Sequence, residues 1–229
     1  MKVIGLIGGM SWESTVPYYQ IINNTVKEKL GGLHSAKIIM YSVDFAEIEE
    51  YQVNGEWDKS AKVLSEIAVK LETAGADFIV ICTNTMHKVA PQIQKAITVP
   101  IIHIADATAL ELQKSNIEKV ALLGTKYTML QDFYKERIES NGIEIIIPEA
   151  EDIETVNSII YDELCLGEIK DTSREKYIEI IEKMKIKGAQ AVILGCTEIG
   201  MLIKEKDSPL PVFDTTEIHA YNAAMQAME

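Results

Sequence analysis

The chain has 229 residues, 47% hydrophobic and 25% charged, enough for one large α/β domain or two small ones with a substantial core. Its 22 basic and 35 acidic residues give a formal charge of −13, which argues against a nucleic-acid backbone or an anionic membrane surface as partner. Three cysteines, Cys82, Cys165 and Cys196, read as free thiols of a cytoplasmic protein rather than a disulfide framework. The start of the chain, through Gly8-Gly9, is too short and too glycine-rich for a signal peptide, and no apolar run reaches membrane-spanning length.

In chain order, Lys2 to Ile7 reads as a buried strand, followed by a tight turn at Gly8-Gly9-Met10-Ser11-Trp12. A helix is predicted from Glu13 to Leu30, with Pro17 near its first turn and Gly31-Gly32 closing it. Ala36 to Val43 is a strand ending at Asp44, and Ile48 to Gly55 a loop or short helix. Asp58 or Ser60 is expected to cap an amphipathic helix reaching Thr73 and stopped by Gly75. Phe78-Ile79-Val80-Ile81-Cys82 is a buried strand delivering a thiol at its carboxyl end, and Thr85 to Ala96 a helix kinked or started by Pro91. Val99 to Ile104 is a fourth strand, and Ala107 to Lys114 is helical.

The pattern then starts again. Lys119 to Thr125 echoes Lys2 to Gly8, a helix runs from about Met129 to Ser140, and Ile143 to Ile147 is a strand. Helices follow at Ile153–Leu166 and at Arg174–Lys187, the second capped by Ser173 and stopped by Gly188. Ala191 to Gly195 delivers Cys196, about half the chain after Cys82, and Leu210 to Asp214 echoes Val99 to Ile102. A helix from Thr216 to Met228 completes the chain.

Strands alternating with helices require crossovers and parallel sheets. The expected fold is therefore α/β, with two pseudo-symmetric domains, each a mostly parallel, roughly four-stranded sheet flanked by helices. The boundaries read as 1–98 plus 209–229 for one domain and 99–208 for the other, with the last strand and helix returning to the first. Ligands of such sheets bind at the carboxyl ends of the strands, so the active site is expected in the cleft between the halves.

Cys82 and Cys196 are the candidate catalytic residues. One cysteine alone would read as a small buried hydrophobe. Two at equivalent strand ends, each followed by Thr and a helix start, point instead to a base–acid pair that moves protons at one carbon. A helix N-terminus beneath each sulfur is expected to lower its pKa towards neutrality. Thr83, Asn84 and Thr85 beside one thiol, and Thr197 and Glu198 beside the other, supply donors and acceptors that could also be plain helix caps. Ser11 and its turn offer a hydroxyl and backbone amides to a small anion, with Thr125 in the matching place; neither turn is a dinucleotide or P-loop motif. His87 could influence the Cys82 thiol or simply pack. His103 reads as a packed strand residue, His219 as a weaker candidate, and Cys165 as core. No metal-ligand spacing is present, and no metal or cofactor is expected.

Gly8-Gly9-Met10-Ser11-Trp12-Glu13-Ser14-Thr15, Ser42-Val43-Asp44-Phe45, Cys82-Thr83-Asn84-Thr85-Met86-His87 and Gly195-Cys196-Thr197-Glu198-Ile199 together resemble the aspartate/glutamate racemase family, over essentially the whole chain. The resemblance implies a pyridoxal-independent isomerase of amino acids, often a homodimer. In it Cys82 and Cys196 transfer protons, while Met10, Ser11, Thr83, Asn84, Thr85, Thr125 and Thr197 hold the substrate's carboxylates and amine. Where relatives can place a basic residue for the side-chain carboxylate, this chain has Gln52, and Lys170 is the candidate to compensate. Alternatives on the same scaffold are a maleate isomerase, a hydantoin-type racemase or an arylmalonate decarboxylase. A non-catalytic protein binding dicarboxylates or amino acids is a further alternative.

Overall fold

The two apolar runs that end in cysteine are central strands of two separate sheets, both wholly parallel. The computed structural model describes residues 1–229 as two units, Met1–Ile104 with His219–Glu229, and Ala105–Ile218. The first unit contains β1 (Val3–Gly8), α1 (Trp12–Leu30), β2 (Lys37–Ser42), α2 (Phe45–Val53), α3 (Trp57–Thr73), β3 (Phe78–Ile81), a 3-10 turn (Thr85–Val89), α4 (Ala90–Ala96) and β4 (Ile101–Ile102). Its sheet has the order β2-β1-β3-β4.

Helix α5 (Ile104–Lys114) leads into the second unit. There follow β5 (Lys119–Gly124), α6 (Lys126–Leu130), α7 (Asp132–Glu139), β6 (Glu144–Ile146), α8 (Ala150–Asp162), a 3-10 turn (Leu164–Leu166) and α9 (Asp171–Ile186). After β7 (Ala191–Gly195) come α10 (Ile199–Leu202), a 3-10 turn (Glu205–Asp207) and β8 (Val212–Asp214), and the order β6-β5-β7-β8 repeats the first topology. Helix α11 (Thr215–Met228) closes the chain, its residues from His219 onward belonging to the first unit.

The expected boundaries are corrected in one respect. β4 pairs with β3 through Ile79↔Ile101 and so belongs to the first sheet, while β8 pairs with β7 through Ile193↔Phe213 and belongs to the second. No final strand is exchanged; only the end of the last helix returns. The repeat in sequence spacing was compatible with either assignment, because a Val-Pro or Leu-Pro strand start does not state its neighbour.

Burial of the central strands follows from parallel pairing, which puts helices on both sheet faces and removes the polar alternation of a one-sided sheet. Residues of β3 sort by alternation into two apolar layers. Ile79 and Ile81 pack with Leu64, Ile67, Leu71 and Ile93 of α3 and α4. Phe78, Val80 and then Cys82 pack with Tyr18, Ile22 and Val26 of α1 and with Ala220, Ala223, Ala224 and Ala227 of α11. Cys82 is thus the last rung of an apolar layer as well as the first residue beyond the strand. Trp12, Val16 and Tyr19 of α1, with Met40 of the edge strand β2, stand exposed around a groove of about 360 Å³.

Local helix signals diverge in several places. The segment after Asp44 is a full helix, α2, with the Asp44 carboxylate accepting from Ala46 N. Neither Asp58 nor Ser60 caps α3, which begins beyond Glu56 and buries Ser60. The helix expected at Met129–Ser140 is broken into α6 and α7, and α8 ends before Cys165, which sits half-buried in the following 3-10 turn. Ser173 lies inside α9, its hydroxyl donating to Glu163 at 2.6 Å rather than capping the helix.

Gly9 turns the chain out of β1 at φ +89°, and a Cβ there would stand 2.4 Å from the Val43 carbonyl and 2.6 Å from its nitrogen. Both obstacles are backbone, so Gly9→Ala is expected to cost more than about 2 kcal/mol of folding stability, read by urea melts against Gly55→Ala, whose Cβ would meet open space.

Candidate active site

In the first unit, Ile7 pairs with Ile81 and the Cys82 amide donates to the Ile7 carbonyl at 2.9 Å, so the ladder carries Gly8 and Cys82 side by side. The turn after β1 is clamped by one residue that sequence reasoning passed over. Thr15 Oγ1 accepts from Gly9 N at 2.9 Å and donates to the Ser11 carbonyl at 2.7 Å. Ser11 caps α1, its hydroxyl oxygen accepting from Ser14 N, and a cis peptide joins Met10 to Ser11. Met10 itself is packed in the layer with Ile7 and Ile48, so its side chain is core and only its backbone faces the turn's chemistry. Gln52, on α2, is buried with its amide donating to Met86 Sδ at 3.1 Å. Thr83 and Asn84, in the loop that follows Cys82, and Thr85, which opens the 3-10 turn, are all buried.

Beneath that loop lies a histidine cluster. Ile104 N donates to His87 Nε2 at 3.2 Å, so that nitrogen is an acceptor and Nδ1 carries the hydrogen it gives to the Thr83 carbonyl at 2.7 Å. The ring does not reach for the thiol; it anchors the peptide next to it. His103, just beyond β4 rather than within the strand, meets His87 edge-on with ring centroids 4.4 Å apart, and the His219 ring lies 5.6 Å from that of His87. His219 donates from Nε2 to the Ile102 carbonyl and accepts the Tyr18 hydroxyl at Nδ1, both at 2.9 Å. Burial holds His219 neutral, its pKa down from 6.5 to about 4.

In the second unit, Gly124 pairs with Gly195, and a Cβ on Gly124 would stand 2.7 Å from the Gly195 carbonyl, so glycine is what lets these strand ends close up. Thr125 caps α6, accepting from Thr128 N and sharing a hydrogen bond with the Thr128 hydroxyl at 3.2 Å. Cys196 Sγ donates to Glu198 Oε2 at 2.9 Å, and Thr197 Oγ1 donates to the same oxygen at 2.9 Å. All three residues are buried. Tyr161 and Tyr177 lie within electrostatic reach of Cys196 and Glu198, their phenols pushed up first by burial and then by those groups. Neither tyrosine could be singled out from sequence, because each sits at a spacing that reads as helix packing.

The expectation of thiols activated by helix N-termini is overturned. After Cys82 comes a 3-10 turn without a side-chain cap, and after Cys196 a helix of four residues. Such short elements offer little dipole, whereas burial removes each sulfur almost entirely from water. Burial pushes Cys82 far up, and burial followed by the Glu198 charge pushes Cys196 up. Lys170, the candidate to compensate for the missing arginine, is exposed and paired with Glu168 at 2.9 Å and Glu163 at 3.5 Å. No group of three or more His, Cys, Asp or Glu side chains is placed to hold a metal ion, and no helix is long and apolar enough to cross a membrane.

A family model described as Asp/Glu/Hydantoin racemase matches residues 7–223. The broad specificity amino-acid racemase RacX of Bacillus subtilis (strain 168) is 25% identical over 221 residues, covering 93% of either chain. An aspartate racemase homologue from Pyrococcus horikoshii OT3 superposes with a TM-score of 0.86 at 39% identity, over 100% of both chains. A Yersinia pestis protein provisionally described as an Asp/Glu racemase superposes with a TM-score of 0.92 at 56% identity, again over 100% of both.

The histidine cluster makes stability depend on pH with a definite sign. His219 stays neutral in the folded chain but takes a proton below about 6.5 once unfolded, so its stabilising effect is full above that pH and is lost as pH falls towards about 4. Between those limits the wild type is expected to lose up to roughly 3 kcal/mol more than His219→Gln, measured by urea melts at pH 7 and pH 4.

Proposed function

Because the chain belongs to the Asp/Glu/Hydantoin racemase family, we propose that it is a cofactor-independent racemase of aspartate- or glutamate-like amino acids, with Cys82 and Cys196 as its two proton-transfer groups. The observation that carries this reading is a repeated one. In each of two sheets of the same strand order, the strand next to the glycine-ended first strand is followed at once by a buried thiol. Racemisation needs a base on one face of Cα and an acid on the other, and a pair of thiols can exchange those roles.

The hydroxyls and amides beside the sulfurs suit a doubly anionic substrate. Ser11, Thr83, Asn84, Thr85 and Thr125 supply short, fixed donors, and the backbone around Met10 supplies amides. Thr197, whose hydroxyl hydrogen goes to Glu198, is left with an acceptor oxygen and a backbone amide. Gln52 gives the side-chain carboxylate a neutral partner, consistent with a preference broader than aspartate alone. One sulfur takes the α-proton, the charge spreads into the α-carboxylate, and the other sulfur returns a proton to the opposite face. Because burial holds both thiols protonated, one must first release its proton to solvent, a loss that the positive α-ammonium of the arriving substrate favours. Homodimeric assembly and a cytoplasmic location belong to the same proposal. The first rests on the family resemblance, the second on three free cysteines.

Incubation with each enantiomer of aspartate and glutamate in deuterated water tests the reading. The wild type is expected to lose optical rotation while taking deuterium at Cα, and Cys82→Ala or Cys196→Ala to lose at least about 100-fold in racemisation. Full racemase activity in both single variants would remove the two-thiol mechanism, and conversion of maleate to fumarate without racemisation would favour the isomerase alternative.

A further inference from the structure

We infer that Glu198 is a positioning residue that keeps Cys196 as a thiol at rest, making Cys196 the standing proton donor and leaving the first deprotonation to Cys82. This rests on the racemase reading and deepens it, because topology alone would leave the two sulfurs equivalent.

The contact suits a thiol that donates. Glu198 Oε2 receives Cys196 Sγ–H and Thr197 Oγ1–H, each at 2.9 Å, and a carboxylate can only accept. A thiolate at the same place would put two negative charges in contact with little water to screen them, since Cys196 is 7% and Glu198 2% exposed. In agreement, burial and next the Glu198 charge hold the Cys196 proton more tightly. The other sulfur has no such neighbour. Cys82 packs among Val80, Phe78, Tyr18 and the alanines of α11, its only sulfur hydrogen bond is a long 4.0 Å approach to the Val80 carbonyl, and burial alone raises it.

The reaction then has a preferred starting state. Cys82 first releases its own proton to solvent as the substrate binds. As thiolate it then takes the proton from Cα while Cys196 gives its own to the opposite face, so the transfer itself leaves the number of protons unchanged and no electrons leave the system. The cycle ends with Cys82 as thiol and Cys196 as thiolate beside Glu198, a state that is reset by exchange with solvent or by turnover of the opposite enantiomer. The equilibrium constant of racemisation at a single stereocentre is one, so kcat/KM must match in the two directions. The inequality imposed by Glu198 therefore shows in the separate kcat values and in the thiols themselves.

Alkylation by iodoacetamide, followed over pH and resolved by peptide mass spectrometry, reads each sulfur without substrate. In the wild type the Cys196 midpoint is expected above that of an ordinary cysteine, about 8.5. In Glu198→Gln it is expected to fall by at least one unit, raising the Cys196 rate at a fixed lower pH about tenfold or more while the Cys82 profile stays put. A merely structural role would raise rates at all pH values without moving the midpoint. An unmoved or raised Cys196 midpoint in Glu198→Gln would overturn the assignment, since a rise would mean the carboxylate serves as the thiol's base. Should that variant not fold, a wild-type Cys196 midpoint at or below the ordinary value would overturn it alone. In parallel, the ratio of kcat in the two directions is expected to shift in Glu198→Gln. If the wild type racemises no amino acid, the functional reading fails, while the alkylation profiles still decide what Glu198 does to Cys196.

Discussion

Each cysteine continues a strand that is covered by helices on both faces, and much else in this protein follows from that placement. A parallel sheet sandwiched between helix layers has no wet face, so a side chain that extends such a strand inherits its dryness. Cys82 inherits it along the row Phe78, Val80, Cys82, and Cys196 follows a β7 buried at every position. Position at the carboxyl end of a strand is what makes a residue available to a ligand, yet here the same position withholds water from the sulfur. The outcome is a pair of thiols kept neutral until something charged arrives. On the proposed function, an amino acid would bring its own cation, and fixed hydroxyls and amides that need no reorganisation would favour the developing negative charge.

Close approach at the strand ends is secured by small residues backed by threonine. At Gly8 an added Cβ would lie 2.3 Å from Thr15 Cγ2, and at Gly124 it would lie 3.2 Å from Thr128 Cβ. In each unit the threonine belongs to the first turn of the next helix and also hydrogen-bonds the turn, through Gly9 and Ser11 in one case and Thr125 in the other. The same solution thus appears twice, with different partners. It ties the first helix of each unit to the loop beside the thiol, so the loop's geometry is inherited from core packing rather than from the loop's own sequence.

How much of this was legible in the sequence depends on the range of the interaction. The buried strands, their parallel order and the thiols at their ends could be read because apolar runs, glycines and their spacing are local signals. The assignment of β4 and β8 to their sheets was not, because strand neighbours are decided by packing across the chain. Caps failed where tertiary contacts competed: Ser173 gives its hydroxyl to Glu163, and Ser60 is buried inside a helix whose start it was expected to mark. Among site residues, Met10 was read by its place in a motif, but its side chain is apolar and the layer around Ile48 takes it. The protonation of the thiols was misjudged for a related reason. A helix start can be read from sequence, but its length after the start, and the desolvation opposing it, depend on structure.

Duplicated topology does not imply duplicated chemistry. In the first unit the peptide beside the thiol is held by His87, whose acceptor and donor nitrogens are both committed, with a second buried neutral histidine behind it. That environment is polar where it meets backbone and uncharged where it meets sulfur. In the second unit the thiol is held directly by a carboxylate, with the phenols of Tyr161 and Tyr177 nearby. An anionic neighbour lets a thiol donate readily only if the charge left behind can be shared or carried away, whereas a neutral shell leaves the thiol's proton to the influence of the ligand. On the proposed reading, two chemically identical groups on equivalent strand ends differ as acid and base by virtue of their second neighbours. A reversible reaction at one carbon needs that kind of inequality at any instant, and the ability to reverse it over a cycle.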